Sequence, residues 1–304
     1  MRSPHTVPPL TAIALVVAVL SVSSSAPLIA FAAAPALAVA FWRNSLAAVA
    51  LTPVALISRR EEVRGIHRRP EGLFCVLAGV ALAAHFATWM PSVQLGSVAT
   101  ATALVATQPV WQALIASAQG RRPSTTGWIG IGLAVAGAAV ATGADFGVSR
   151  QAVLADLLAV LGAIFAAVYT ALGERARVTL STTTYTWICY GTCALLLLAV
   201  CLAFRADLVG YDGRTWAAIL AIVVGAQLLG HSMFNYALQH TSATTVSVLI
   251  LLEVPGAALI AWAWLGQVPR WESLPGLALL MAGVVVVIVG AARRGRVVTE
   301  VPSL

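Results

Sequence analysis

Apolar runs of about twenty residues recur along the whole chain with almost no charge inside them, and this constrains the fold more than any other feature. Such a run, wound as a helix, spans a hydrocarbon core about 30 Å thick. Ten candidate spans follow, at 10–31, 36–57, 71–92, 97–118, 127–143, 152–173, 183–204, 214–238, 242–265 and 272–291. Of the 304 residues, 60% are hydrophobic and only 10% charged. A soluble domain carries roughly 25% charged residues, so this chain cannot clothe a water-facing surface. A soluble enzyme is excluded on that ground. The expected fold is an all-α polytopic membrane protein with ten transmembrane helices and no soluble domain between them.

The charges carry topology. The sequence contains no lysine, so all 18 of its basic side chains are arginines. That removes a Walker-type phosphate lysine and a Schiff-base lysine, and with them ATP-driven transport by this chain alone. A net charge of +7 could suggest nucleic acid, but most arginines fall in short loops between apolar runs, so no nucleic-acid partner is expected. In alternate loops, one side receives Arg2, Arg59, Arg60, Arg64, Arg68, Arg69, Arg121, Arg122, Arg175, Arg177, Arg293, Arg294 and Arg296. The other receives Arg150, Arg205, Arg214 and Arg270. By the positive-inside rule both termini are expected in the cytoplasm, with the protein multi-pass in the plasma membrane. The stretch Leu10–Phe31 exceeds the usual ~7–15-residue signal core, so it reads as a retained first span. Cys75, Cys189, Cys193 and Cys201 lie in or beside apolar segments and read as small buried residues rather than a disulfide or zinc framework.

An offset of 146 positions aligns Gly79 with Gly225, His85 with His231, Pro109 with Pro255, Gly120 with Gly266, Gly130 with Gly276 and Gly137 with Gly283. Histidine and proline are rare enough here for their pairing to count. Two copies of five spans are expected, at 10–143 and 152–292. Five is odd, so the second copy enters the membrane from the opposite side. Inverted-topology repeats of this kind are common in secondary transporters, with binding sites near the midplane at the repeat interface.

Polar groups deep in a bilayer usually face a cavity or a partner, since a central charge costs roughly 2.5–3.5 kcal/mol. Arg43 in the second span lies about 10 Å from its outer end, and Glu253 in the ninth about 16 Å from its inner end. Gln227, His231 and Asn235 follow an i, i+4, i+8 spacing that places them on one face of a regular helix. His85 and Trp89 share a face of the third span. Gln108 precedes Pro109 near mid-membrane, Thr107 occupies the position equivalent to Glu253, and Tyr169 is a further candidate. Pro27, Pro109 and Pro255 interrupt spans one, four and nine and free backbone carbonyls. Arg43, His85, Trp89, Gln108, Gln227, His231, Asn235 and Glu253 are therefore expected to line a substrate route. Gly130, Gly132 and Gly137 would allow close helix packing.

Several stretches resemble EamA-type members of the drug/metabolite transporter superfamily. Gly230–Pro269, GHSMFNYALQHTSATTVSVLILLEVPGAALIAWAWLGQVP, is similar to the ninth-span signature, and Ala84–Ile115 to its counterpart in the first repeat. AVAFWRNSLAAVAL carries Arg43 where these proteins have a second-span arginine, and SVSSSAPLIAFA fits the first span. Two departures stand out. Glu253-Val254-Pro255 replaces the frequent Glu-Pro-Val, which shifts the helix break by one residue. Gln267 follows Gly266 where the family commonly has Gly-Glu. The resemblance implies a ten-helix fold with a central cavity and export of amino acids or other metabolites.

The expected function is secondary transport of a small polar, amino-acid-like metabolite by alternating access, without cofactor, metal or enzymatic activity. Arg43 would pair with a substrate carboxylate. Glu253 would bind an amine or carry a proton, so proton coupling is an open partner role. A monomer and a homodimer are both compatible. The alternatives are a membrane enzyme acting on a lipid-linked substrate, for which Asp145, Asp156, Asp207 and Asp212 show no recognisable spacing, and a non-transporting membrane subunit.

Overall fold

The structure is a computed structural model that describes residues 8–120, 124–143, 149–241, 243, 246, 249–268 and 271–299. Arg2, Arg121, Arg122, Arg270 and Asp145 lie outside the described residues, as do the side chains of Arg293, Arg294 and Arg296. Every regular element among the described residues is helical. Seven helices are long and apolar enough to cross a membrane: α1 (Pro9–Phe31), α2 (Ala36–Ser58), α3 (Pro70–Leu95), α4 (Val98–Ala118), α6 (Arg150–Ala176), α7 (Thr182–Ala203) and α8 (Gly213–Ala237). Three further apolar helices, α5 (Thr125–Gly143), α9 (Ile250–Leu265) and α10 (Leu274–Thr299), have shorter apolar stretches among those residues. A short helix, Arg60–Gly65, joins α2 to α3.

Hydroxyl and carboxylate side chains start many of the spans. Ser97, Ser149, Ser181 and Asp212 cap α4, α6, α7 and α8, each accepting a bond from a backbone N–H three residues on. These caps satisfy donors that a helix leaves open at its first turn. At the far end of α9, Gly266 adopts a left-handed φ of 66°, which a residue without Cβ tolerates. Gln267 follows, and its Oε1 accepts the Val98 N–H at 3.3 Å. The neutral amide thus ties the end of α9 to the start of α4.

Packing follows the repeat. Helix α5 packs on α10, α2 on α7 and α4 on α9, so three helices each meet their own counterpart. Helix α3 packs on α6, and the counterpart pair α8 and α1 also pack together. At the α5–α10 crossing the correspondence reaches single residues. Gly137 faces Leu280, while its mate Gly283 faces Ala134, the mate of Leu280. Gly132, expected from its sequence to serve close packing, has open space beside it instead. It lies on the exposed side of α5, where no helix approaches.

Alanines are numerous among the buried residues, whereas large aliphatics such as Leu20, Ile57 and Leu195 are exposed, at 69%, 77% and 71%. This arrangement suits lipid, where small side chains bring backbones together and no hydrophobic force drives leucines inward. All four cysteines are buried and free.

Candidate functional site

Four helices are irregular where they reach one cavity. Pro27 cannot donate to the carbonyl of Ser23, and α1 breaks at Ser24 between Pro9–Ser23 and Ser25–Phe31. Pro109 does the same to α4, which breaks between Val98–Val105 and Gln108–Ala118. Pro255 lies four residues after Leu251, and α9 opens with a 3-10 turn at Ile250–Leu252. Helix α8 is a π-helix over Val223–His231. Widened turns of this kind often occur at functional sites.

The cavity lies among these irregularities, with α3 and α6 completing its wall. Its lining includes Ser25, His85, Trp89, Gln108, His231, Asn235 and Glu253, with Tyr169 and Thr170 from α6. The volume open to the centre of a water-sized sphere is about 50 Å³, room for a few waters or a small ligand group. Apolar side chains, among them Val22, Phe234, Leu238 and Val246, form much of the rest.

Most of the polar lining is held by neighbours. The Gln108 amide donates to Thr170 Oγ1 at 2.8 Å, bridging the α4 break to α6. Asn235 Nδ2 donates to the Tyr169 hydroxyl at 2.6 Å. His85 Nδ1 lies 2.9 Å from the Gly162 carbonyl, so that nitrogen carries the proton and Nε2 remains an acceptor when the ring is neutral. Trp89 stacks on His85 with ring centres 5.5 Å apart and 3% of its surface exposed, so it sits in the wall rather than in a lipid-facing belt. His231 packs edge-on to Phe86 and beside Tyr169. The two histidines thus meet the same ring, because His85 also lies against Phe86. Among the described residues no group of His, Cys, Asp and Glu side chains has metal-binding geometry.

Two charges stand out. Glu253 is 7% exposed, lines the cavity, and forms no hydrogen bond or ion pair with a described residue. Arg43 is fully buried one layer behind the wall. Its Nε donates to Gln227 Oε1 at 2.7 Å, its Nη1 reaches Ser25 Oγ at 3.4 Å, and its guanidinium lies 4.2 Å over the Phe86 ring. Its Nη2 has no hydrogen-bond partner among the described residues.

Gln227 sits with Arg43, not on the cavity wall. Its Nε2 donates to Asn44 Oδ1 at 3.1 Å, and Asn44 Nδ2 donates to the Ala40 carbonyl. The i, i+4, i+8 spacing assumes 3.6 residues per turn, but the π stretch turns less per residue, and Gln227 falls off the face that carries His231 and Asn235. Ser232 shows the widened turn, since its N–H and hydroxyl both bond to the Gln227 carbonyl.

Sequence reasoning missed Arg177, which it counted as a loop charge. The structure buries it completely at the end of α6. Its neighbours Leu180 and Thr182 gave no cue, because its other partners lie on α8 and in the turn after it, 58 and 62 residues away.

A bundle of long apolar helices built from two matching halves, with a polar cavity at their broken segments, defines a multi-pass membrane transporter. The EamA-like transporter family matches residues 9–143 and 153–289, nearly the whole chain in two copies. The protein belongs to that family, within the drug/metabolite transporter superfamily. A solved structure described only as a crystal structure of a protein is similar in fold. It is 20% identical, with a TM-score of 0.67, over 94% of this chain and 99% of that one. No curated protein matches.

Proposed function

We propose that this transporter exports a small zwitterionic, amino-acid-like metabolite through the cavity by alternating access. The observation that carries the reading is the pair of incompletely partnered charges, Glu253 on the wall and Arg43 behind Ser25. Glu253 has no direct partner and Arg43 bonds only neutral groups, so a ligand bearing both an ammonium and a carboxylate would compensate both. The carboxylate would be drawn to the Arg43 guanidinium across Ser25, and the ammonium would meet Glu253 and the aromatic rings. His85 Nε2, His231 and Asn235 offer further polar contacts. Glu253 could also hold a proton between transport steps, which would couple export to the proton gradient.

In this reading all ten helices cross the plasma membrane as two inverted five-helix repeats, with both termini in the cytoplasm and one copy forming the whole pathway. The packing of α2, α4 and α5 each on its own counterpart supports a two-fold axis between the halves. The test is uptake and counterflow of radiolabelled neutral α-amino acids in proteoliposomes under an imposed pH gradient, with the matching decarboxylated amines and amino-acid amides as controls. Zwitterions should be carried and the controls not. Glu253→Gln and Arg43→Ala should each lower the rate at least about tenfold. Normal transport by both folded variants would overturn the assignment.

A further inference from the structure

Arg177 is a buried guanidinium whose contacts reach across three helices. Its Nε donates to the Asn235 carbonyl at 3.0 Å, and its Nη2 to Gln239 Oε1 at 3.0 Å and Thr182 Oγ1 at 2.7 Å. Its Nη1 donates to the Leu180 carbonyl. None of these acceptors is a carboxylate, and the ion pairs among the described residues are confined to Glu61 with Arg60 and Arg64. A positive charge needed only to hold an inner loop on its side of the membrane would sit in water. This one is 0% exposed.

Its position explains the burial. Helix α8 ends in a loose turn where Gln239 N bonds to the Tyr236 carbonyl, so no helical N–H reaches the Asn235 carbonyl. Arg177 fills that gap, as basic side chains do at helix C-termini. The same turn carries two residues of the cavity lining. Asn235 reaches Tyr169 through its side chain, and Leu238 lies close over Gly173, four residues before Arg177. Glu174 adds a second tie, accepting the Ala243 N–H at 3.2 Å.

We propose that Arg177 is a positioning residue for the transport cavity, its guanidinium fork fixing the end of α8 so that Asn235 and Leu238 hold their places in the wall. This rests on the cavity being the transport site. The planar fork matters as well as the charge, because its three nitrogens together hold four acceptors, more than the three N–H donors of a lysine ammonium can serve.

Arg177→Lys separates the two roles, since it keeps the charge that membrane topology requires and removes the fork. The readout is modification of a Leu238→Cys reporter by a cationic methanethiosulfonate reagent in proteoliposomes, in which the four native cysteines are replaced by alanine. With Arg177 present the reporter should react slowly. With Arg177→Lys it should react about tenfold faster, the change expected from losing one hydrogen bond to a charged group. For any amino acid of the panel that the protein carries, Arg177→Lys should raise KM several-fold and change the maximal rate less. Modification as slow as in the parent would overturn the proposal and leave Arg177 as a topological charge. If Arg177→Lys does not fold, Gln239→Ala removes the side-chain link to α8 while sparing the arginine. It should also speed modification, and no change there would likewise overturn the proposal. The labelling needs no substrate, so a failed transport panel and a failed positioning role give different results.

Discussion

The α5–α10 crossing allows a quantitative test. A Cβ added at Gly137 would lie 2.2 Å from the Leu280 nitrogen, 2.6 Å from its Cα and 2.8 Å from the Gly276 carbonyl oxygen. At Gly283 the corresponding distances are 2.3 Å to Ala134 N, 2.8 Å to its Cα and 2.8 Å to the Gly130 oxygen. Ordinary contact begins near 3.4 Å, and every neighbour is backbone, so no rotamer change relieves the clash. The helices would have to separate by about 1 Å along the crossing, and overpacking of this kind costs about 1–3 kcal/mol. Replacing glycine by alanine within a helix returns about 0.5–1 kcal/mol, so each variant should lose up to about 2.5 kcal/mol. Gly132 lies on the same helix with nothing within 4 Å, so Gly132→Ala keeps the propensity gain without the clash. Thermal unfolding in detergent can be followed with a thiol-reactive dye, because all four cysteines are buried until the protein opens. Gly132→Ala should melt at or above the wild-type temperature, with Gly137→Ala and Gly283→Ala below it by similar amounts. The double variant should lose less than the two losses combined, since the first alanine has already parted the helices. Gly137→Ala melting with Gly132→Ala, or a large difference between the two crossing sites, would refute the close-approach argument.

Two further outcomes are expected. Gln227→Leu removes the Arg43 Nε acceptor and leaves a buried guanidinium less satisfied, which should cost about 1.5–3 kcal/mol; Gln227→Glu supplies a carboxylate that pairs with the guanidinium in place of a ligand, and should abolish amino-acid uptake in proteoliposomes. Between α2 and α3, partial burial raises the Glu62 pKa, but bonds from the Ser181 hydroxyl and N–H and the Thr184 hydroxyl outweigh it and hold the carboxyl below its ordinary 4.5. A depressed folded pKa means this contribution is full above the unfolded value and fades as pH falls through the folded one. Melting of Glu62→Gln should therefore lie below wild type at pH 7 and converge with it as pH drops below about 4.5.

The helices themselves were legible in the sequence. Apolar runs of membrane-spanning length dictate helices whatever surrounds them, because backbone groups in lipid must bond within their own segment. The breaks in α1, α4 and α9 follow from Pro27, Pro109 and Pro255, whose missing N–H is a local property. The pairing of Gly137 with Gly283 likewise shows in the repeat before any contact is known.

The partners of the buried polar groups were not legible. Arg43 finds Gln227 on α8 and Arg177 finds Asn235 there, and such pairs depend on how distant helices cross. The π stretch of α8 was hidden too, because an extra residue per turn is settled by packing and not by composition. It moved Gln227 off the face that regular spacing gave it and onto Arg43. Local chemistry therefore set where the chain is helical and where it breaks, while the crossing of helices chose which side chains face the cavity, since only the folded bundle brings residues so far apart in sequence within hydrogen-bond reach.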